Sequence, residues 1–383
     1  MKHNWEHKNF KQLSDILYGC PFESNCFNSD SNGLPLIRIR DVKPGKTSTF
    51  FSGSYSSEYI IKKGEYLVGM DGEFNIAPWQ SEDALLNQRV CRIKSSNEDV
   101  ILTDFIYYFL TKELKEIEAR TPYVTVKHLS AKVLNAIKTP VPPIAVQRQI
   151  VTELDKINEI ISNCREALQN LDSLAQSLFY TLFGDPISNP KNLPIAPLSE
   201  VFVLITDGTH QTPIYTTDKE NGIKFLSAKD VTNGYINWDN IKYIPFDLHI
   251  ELHKRLAPKR GDILLCKNGT TGICALVDTD DVFDIYVSLA LLRPKENYNA
   301  KYLVHAINNP FTREQFNRSL KGIGVPNLHL NKIRDTKIIL PPLALQEKFA
   351  AQIDKIEQQK NLIEQTISNL QTLLNARMDY WFN

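Results

Sequence analysis

The chain has 383 residues, 42% hydrophobic and 23% charged, which is too long for one hydrophobic core and enough for two or three domains. Its 44 basic and 44 acidic side chains cancel, which excludes the strongly basic composition of a non-specific nucleic-acid binder. The polar start Met1–Glu6, the lack of any apolar run near 18 residues and six cysteines without a CxxC pair point away from secretion, membrane spanning and a zinc ribbon, and toward reduced thiols in a cytoplasmic protein.

Residues 1–140 mix β-like runs at 36–39, 66–68 and 89–93 with a helix at 103–118. Asp30–Gly33 and Asp71–Gly72 read as turns. Residues 141–185 form one helix entered through Pro142-Pro143. Its apolar residues are Ile150, Leu154, Ile157, Ile161, Cys164, Leu168, Leu171, Ala175, Leu178 and Leu182. The alternating spacing of four and three is a coiled-coil seam with period 3.5. Gly184 and Pro186 end that helix.

Residues 186–339 repeat the mixed pattern, with β-like runs at 224–226, 263–266 and 286–291, a helix at 300–308, and turns at Asn221-Gly222 and Asn268-Gly269. Residues 340–383 form a second long helix with seam residues Phe349, Ile353, Ile356, Ile363, Ile367, Leu370, Leu374 and Trp381, interrupted by Lys360 and Arg377. Each long helix has about 38 residues and spans roughly 57 Å. Acidic excess is confined to the helices: residues 141–185 hold 3 basic and 6 acidic side chains, and residues 340–383 hold 4 and 5. Residues 1–140 (18 and 17) and 186–339 (19 and 16) are mildly basic.

The chain is an internal repeat. Pro142-Pro143-Ile144-Ala145-Val146-Gln147 matches Pro341-Pro342-Leu343-Ala344-Leu345-Gln346, and Asp155-Lys156-Ile157 matches Asp354-Lys355-Ile356, both at an offset of 199. Upstream, Gly64 pairs with Gly261, Asp41-Val42 with Asp230-Val231, and Leu13 with Leu198, at offsets of 197, 189 and 185. Offsets that only grow along the chain describe two colinear copies with insertions in the second. The expected fold is α+β: two similar domains separated by two long helices. These helices pair within one molecule as an antiparallel coiled coil, because each already holds its partner at high effective concentration, and the result is pseudo-two-fold symmetric.

Catalytic motifs are fragmentary. Gly45-Lys46-Thr47 lacks the upstream glycine of a phosphate loop, since position 40 is Arg40. Asn308-Asn309-Pro310-Phe311 reads as the end of a helix rather than a methyltransferase tetrapeptide. Gly322-Ile323-Gly324 lacks a third glycine, and no HExxH or GxSxG is present. What remains is polar, basic loop chemistry suited to base edges and phosphates. In the first copy it comprises Arg38, Arg40, Lys43, Lys46 and Arg89. In the second it comprises Thr209, His210, Lys229, Lys267, Asn268, Thr270 and Lys321.

This arrangement resembles the specificity subunits of type I restriction-modification systems over nearly the whole chain. The resemblance is carried by the two Pro-Pro-x-Ala-x-Gln helix starts, by Gly261-Asp262-Ile263-Leu264 and by Thr206-Asp207-Gly208-Thr209-His210. In the first copy, Tyr18-Gly19-Cys20 stands where the second has Asp207-Gly208-Thr209. The resemblance implies a target-recognition domain in residues 1–140 and another in 186–339, with a central helix in 141–185 and a distal helix in 340–383. Each domain would read half of a split, asymmetric DNA target, and the helices would set the gap and dock methyltransferase subunits. Catalysis would lie in partners: S-adenosylmethionine in the methyltransferase, ATP and Mg in a restriction and translocation subunit, and no metal or cofactor in this chain. Competing readings are a coiled-coil adaptor whose globular domains bind protein, a fused enzyme, and a methylation-only relative.

Overall fold

The computed structural model describes residues 4–122, 127–232, 234–320 and 327–383. The chain divides into two units, Met1–Glu166 with Ile363–Asn383, and Ala167–Leu362. Both boundaries fall inside the long helices, Ile144–Phe183 and Leu343–Phe382. Each unit therefore contains the beginning of one helix and the end of the other.

The first unit contains a four-stranded antiparallel sheet in the order Ser14–Tyr18, Val90–Ser95, Tyr66–Gly69, Asn75–Pro78. In the second, the order is Phe202–Asp207, Leu289–Pro294, Ile263–Cys266, Cys274–Leu276. A second sheet in each unit is built on one parallel pair, Leu34–Ile37 with Ala84–Leu86 and Ile223–Leu226 with Phe283–Ile285. A two-stranded ribbon then leads into each long helix, Glu6–Asn9 with Lys138–Val141 and Ile195–Pro197 with Lys337–Ile339.

The repeated sequence marks have structural reasons. Gln147 is fully buried; its amide donates to the carbonyls of Pro142 (2.8 Å) and Val100 (3.0 Å) and accepts from the Leu102 amide (2.8 Å). Gln346 repeats this with Pro341 (2.8 Å) and Asn299 (2.9 Å). A buried amide side chain is stable only when so satisfied, and each glutamine locks a helix start to the domain before it. Asp41 and Asp230 are also buried; each carboxylate closes a short 3-10 turn by accepting the amide of Arg38 (2.9 Å) or Ser227 (2.8 Å).

The long helices run antiparallel. Glu153 meets Arg377, with Oε2 accepting from Nη2 at 3.0 Å, whereas Asp172, later in the first helix, meets Lys360, earlier in the second, at 2.7 Å. The two residues that interrupt the second seam are thus ion-paired to the first helix. In the first unit, Ile150 and Leu154 share a core with Phe105, Phe109, Met378 and Trp381. In the second, Phe349 and Ile353 share a core with Phe179, Phe183 and Tyr302. Ile150, Leu154, Ile157, Ile161, Phe349, Ile353 and Ile356 are buried, and Leu168, Leu171, Ile363, Ile367 and Leu370 are half-buried. Gly184 takes a φ of 80°, and its amide bonds the Tyr180 carbonyl at 2.8 Å, closing the first helix.

Several elements differ from the sequence expectation. Residues 287–288 form a turn rather than strand, because the Leu289 amide bonds back to the Tyr286 carbonyl at 2.9 Å, and Tyr286 itself makes an isolated bridge to Thr209. The first-copy strand begins at Val90, since Arg89 lies in the left-handed region at a φ of 71°. Asn309 both follows one helix and caps the next, Pro310–Ser319, by accepting the Phe311 amide at 3.0 Å. The helix Phe246–Arg255 is not among the elements expected from the sequence.

Candidate nucleic-acid interface

In both units one loop cluster forms where the first strand of the four-stranded sheet ends. A Cβ at Gly19 would lie 2.0 Å from the Asn87 carbonyl oxygen, and one at Gly208 would lie 2.0 Å from that of Ile285. Only glycine permits this approach, which lets the next residue pair with the parallel strand pair: the Cys20 amide bonds Leu86 and the Thr209 amide bonds Ile285, each at 3.1 Å.

A second loop meets the first. The Met70 amide bonds the Arg89 carbonyl (3.0 Å) and the Leu129 amide bonds the Met70 carbonyl (2.7 Å). Likewise the Lys267 amide bonds Ser288 (2.8 Å) and the Leu328 amide bonds the Lys267 carbonyl (2.8 Å). Met70-Asp71-Gly72 and Lys267-Asn268-Gly269 therefore occupy equivalent places, and each glycine has a positive φ, 72° and 74°. The backbone is the same in the two units while the side chains it presents differ.

The predicted residues separate on this scaffold. In the first unit, Arg89 is brought beside Asp71 (3.4 Å), which also holds His128 (2.5 Å). Arg38 and Arg40 sit on the 3-10 turn, with Arg40 exposed and 3.4 Å from the Thr49 hydroxyl. Lys43 pairs with Glu73 at 2.9 Å, and Lys46 is exposed. In the second unit, Lys229 occupies the place of Arg40 and donates to Asp230 at 2.6 Å. His210 is 70% exposed and 3.3 Å from Asp207; Thr209 and Asn268 are half-buried, and Thr270 is exposed. Lys321, with Gly322, Ile323 and Gly324, lies outside the described residues.

Lys267 departs from the expectation of a surface contact. It is 5% exposed, and its ammonium donates to Asp207 at 2.5 Å. Burial alone would raise the Asp207 carboxyl, but Lys267 and then His210 hold it below the usual carboxylate range. The ammonium is spent on an internal carboxylate, so it braces the loop and is not offered to solvent.

Three contributors carried no local signal. His128 and Ser288 reach the cluster from distant segments; the Ser288 hydroxyl oxygen accepts the Ala228 amide at 3.0 Å. Arg255 donates to the carbonyls of Asp207 (2.7 Å) and Gly208 (2.6 Å). The exposed members of both clusters are hydrogen-bond donors and acceptors on a fixed backbone, able to contact phosphates and base edges. None of the helices in the described residues is long and apolar enough to cross a membrane.

Comparison with known proteins agrees with this architecture. The family model for the type I restriction modification DNA specificity domain matches twice, over residues 2–171 and 190–372. The chain is 27% identical to the type I restriction enzyme EcoBI specificity subunit of Escherichia coli, covering 97% of this chain and 83% of that one. It is 23% identical to the type I restriction enzyme MjaVIII specificity subunit of Methanocaldococcus jannaschii, covering 86% and 80%. Its fold is similar to the crystal structure of the type I restriction-modification S subunit from M. genitalium, with a TM-score of 0.58 at 14% identity over 98% of this chain and 96% of that one. With the family model matched in both halves, the chain belongs to the type I restriction modification DNA specificity domain family and is the DNA specificity subunit of a type I restriction-modification system, itself non-catalytic.

Proposed function

We propose that the two units read the two halves of a split, asymmetric sequence in double-stranded DNA, and that the paired helices fix the gap between the halves. The observation that carries this reading is the reuse of one loop scaffold with different side chains: Tyr18-Gly19-Cys20 against Asp207-Gly208-Thr209, Met70-Asp71 against Lys267-Asn268, and Arg40 against Lys229. Equivalent backbones suit one form of duplex, and unlike side chains suit unlike base sequences. Domains at 1–140 and 186–339 do the reading, and the helices at 141–185 and 340–383 separate them.

Contacts to DNA are assigned to Arg38, Arg40, Lys43, Lys46 and Arg89 in the first half, and to Thr209, His210, Lys229, Asn268, Thr270 and Lys321 in the second. Lys267 acts from below as a positioning residue. The chain works in the cytoplasm with DNA-adenine methyltransferase subunits that bind S-adenosylmethionine, and with restriction subunits that use ATP and Mg; it supplies the address while they supply the chemistry.

The test is to insert or delete four residues in both long helices, keeping the seam register as close as possible. Such a change alters the length by roughly 6 Å, under two base pairs at about 3.4 Å each. Methyladenine mapping in cells carrying the variant and its methyltransferase should show the same half-sites with a changed gap. Half-sites retained at the original gap would overturn the ruler.

A further inference from the structure

The second unit has a buried carboxylate whose hydrogen-bond partners are two imidazoles. Asp284 lies in the strand Phe283–Ile285 and is 2% exposed. His249 and His253 are four residues apart on the helix Phe246–Arg255, which puts both rings on one face, a turn apart. His249 Nδ1 lies 2.7 Å from Asp284 Oδ2, and His253 Nδ1 lies 3.4 Å from Oδ1. The ring centroids are 4.7 Å apart, and one donor atom from each of the three residues lies within 4.8 Å of the others.

We propose that His249, His253 and Asp284 form a zinc site that staples this helix to the sheet of the second unit. Zinc binds imidazole nitrogen and carboxylate oxygen at about 2.0–2.2 Å, so tetrahedral ligand atoms stand roughly 3.3–3.5 Å apart, and the observed set needs small side-chain rotations to reach this. A carboxylate buried as deeply as that of Asp284 is costly to leave without a compensating positive charge. A divalent ion removes that deficit. His249 is buried and His253 is one-third exposed, so the remaining coordination position opens on the His253 side and takes water.

The staple bears on the reading loop. The same helix ends in Arg255, which grips the carbonyls of Asp207 and Gly208, and the residue after Asp284 accepts the Thr209 amide. The first unit provides an internal control: in its parallel strand pair, Leu85 is partnered with Leu36 where Asp284 is partnered with Phe225, and Leu85 is fully buried.

The experiment is titration of the purified, chelator-stripped full chain with Co2+, read by the ligand-field absorption of the tetrahedral ion and followed by displacement with Zn2+. One equivalent should bind and raise the unfolding temperature. His253→Gln, at a partly exposed position, should weaken binding by about 100-fold with unchanged circular dichroism. Asp284→Leu, copying the first unit, should fold and bind no ion at this site. A full chain that binds no Co2+ or Zn2+ saturably, or a His253→Gln variant that binds as the parent does, overturns the site and leaves a metal-free hydrogen-bonded cluster.

Discussion

At the last residue of the first strand in the four-stranded sheet, one unit places Tyr18 and the other Asp207; across from it on the neighbouring loop stand Met70 and Lys267. Tyr18 and Met70 belong to an apolar core, whereas Asp207 and Lys267 form a buried ion pair. The backbone bonds around the two pairs are the same. The scaffold is therefore maintained by main-chain hydrogen bonds and by glycines at 19 and 208, and the side chains above it are free to diverge. The cost is unequal: a buried ion pair fails badly when one partner is lost, while an apolar pair loses only packing.

That comparison can be broken most directly by Lys267→Met. It leaves Asp207 buried without its cation and should cost about 3–5 kcal/mol in urea unfolding. The double variant Asp207→Tyr with Lys267→Met installs the first unit's solution and should recover most of the loss. A single variant losing under about 1 kcal/mol would show that the pair is not sealed from water.

A smaller effect tests where the units agree. Gln147→Ala and Gln346→Ala should each cost about 2–3 kcal/mol by leaving buried backbone groups unsatisfied. The first should be the larger, since Gln147 serves three backbone partners and Gln346 two. Equilibrium unfolding of both variants checks the order; a loss in one alone would mean that the two helix starts are not equivalent.

The smallest effect separates the two ion pairs between the long helices. Arg377, aided by the Trp381 indole, holds the Glu153 carboxyl below its ordinary value. Stability from that pair is present above the unfolded-state pKa near 4.3 and is lost as pH falls through the lower folded value. Glu153→Gln should flatten the acid limb of the pH–stability curve. Lys360→Ala should change stability by under about 0.5–1 kcal/mol at any pH, because Asp172 is exposed. An unchanged acid limb in Glu153→Gln would place acid sensitivity elsewhere.

Much of the architecture was legible because it depends on periodicity. The seam from Ile150 to Leu182 reads directly as a helix that pairs, and matched offsets reveal the duplication. The interface was less legible. Lys267 looked like a surface cation because nothing near it in the chain announces Asp207, 60 positions upstream. His128 reaches Asp71 across 57 positions, and Arg255 reaches the Asp207 and Gly208 carbonyls across 48 and 47. The turn at 287–288 is hidden inside an apolar run that suits a strand equally well.

The amino-acid order alone determined two copies, two seams and the breaks between them, since heptads, prolines and glycines act on neighbours a few residues away. Which cations face water and which are consumed inside the fold was decided only by the tertiary structure, because burial and charge pairing depend on segments that meet in space and are far apart in the chain.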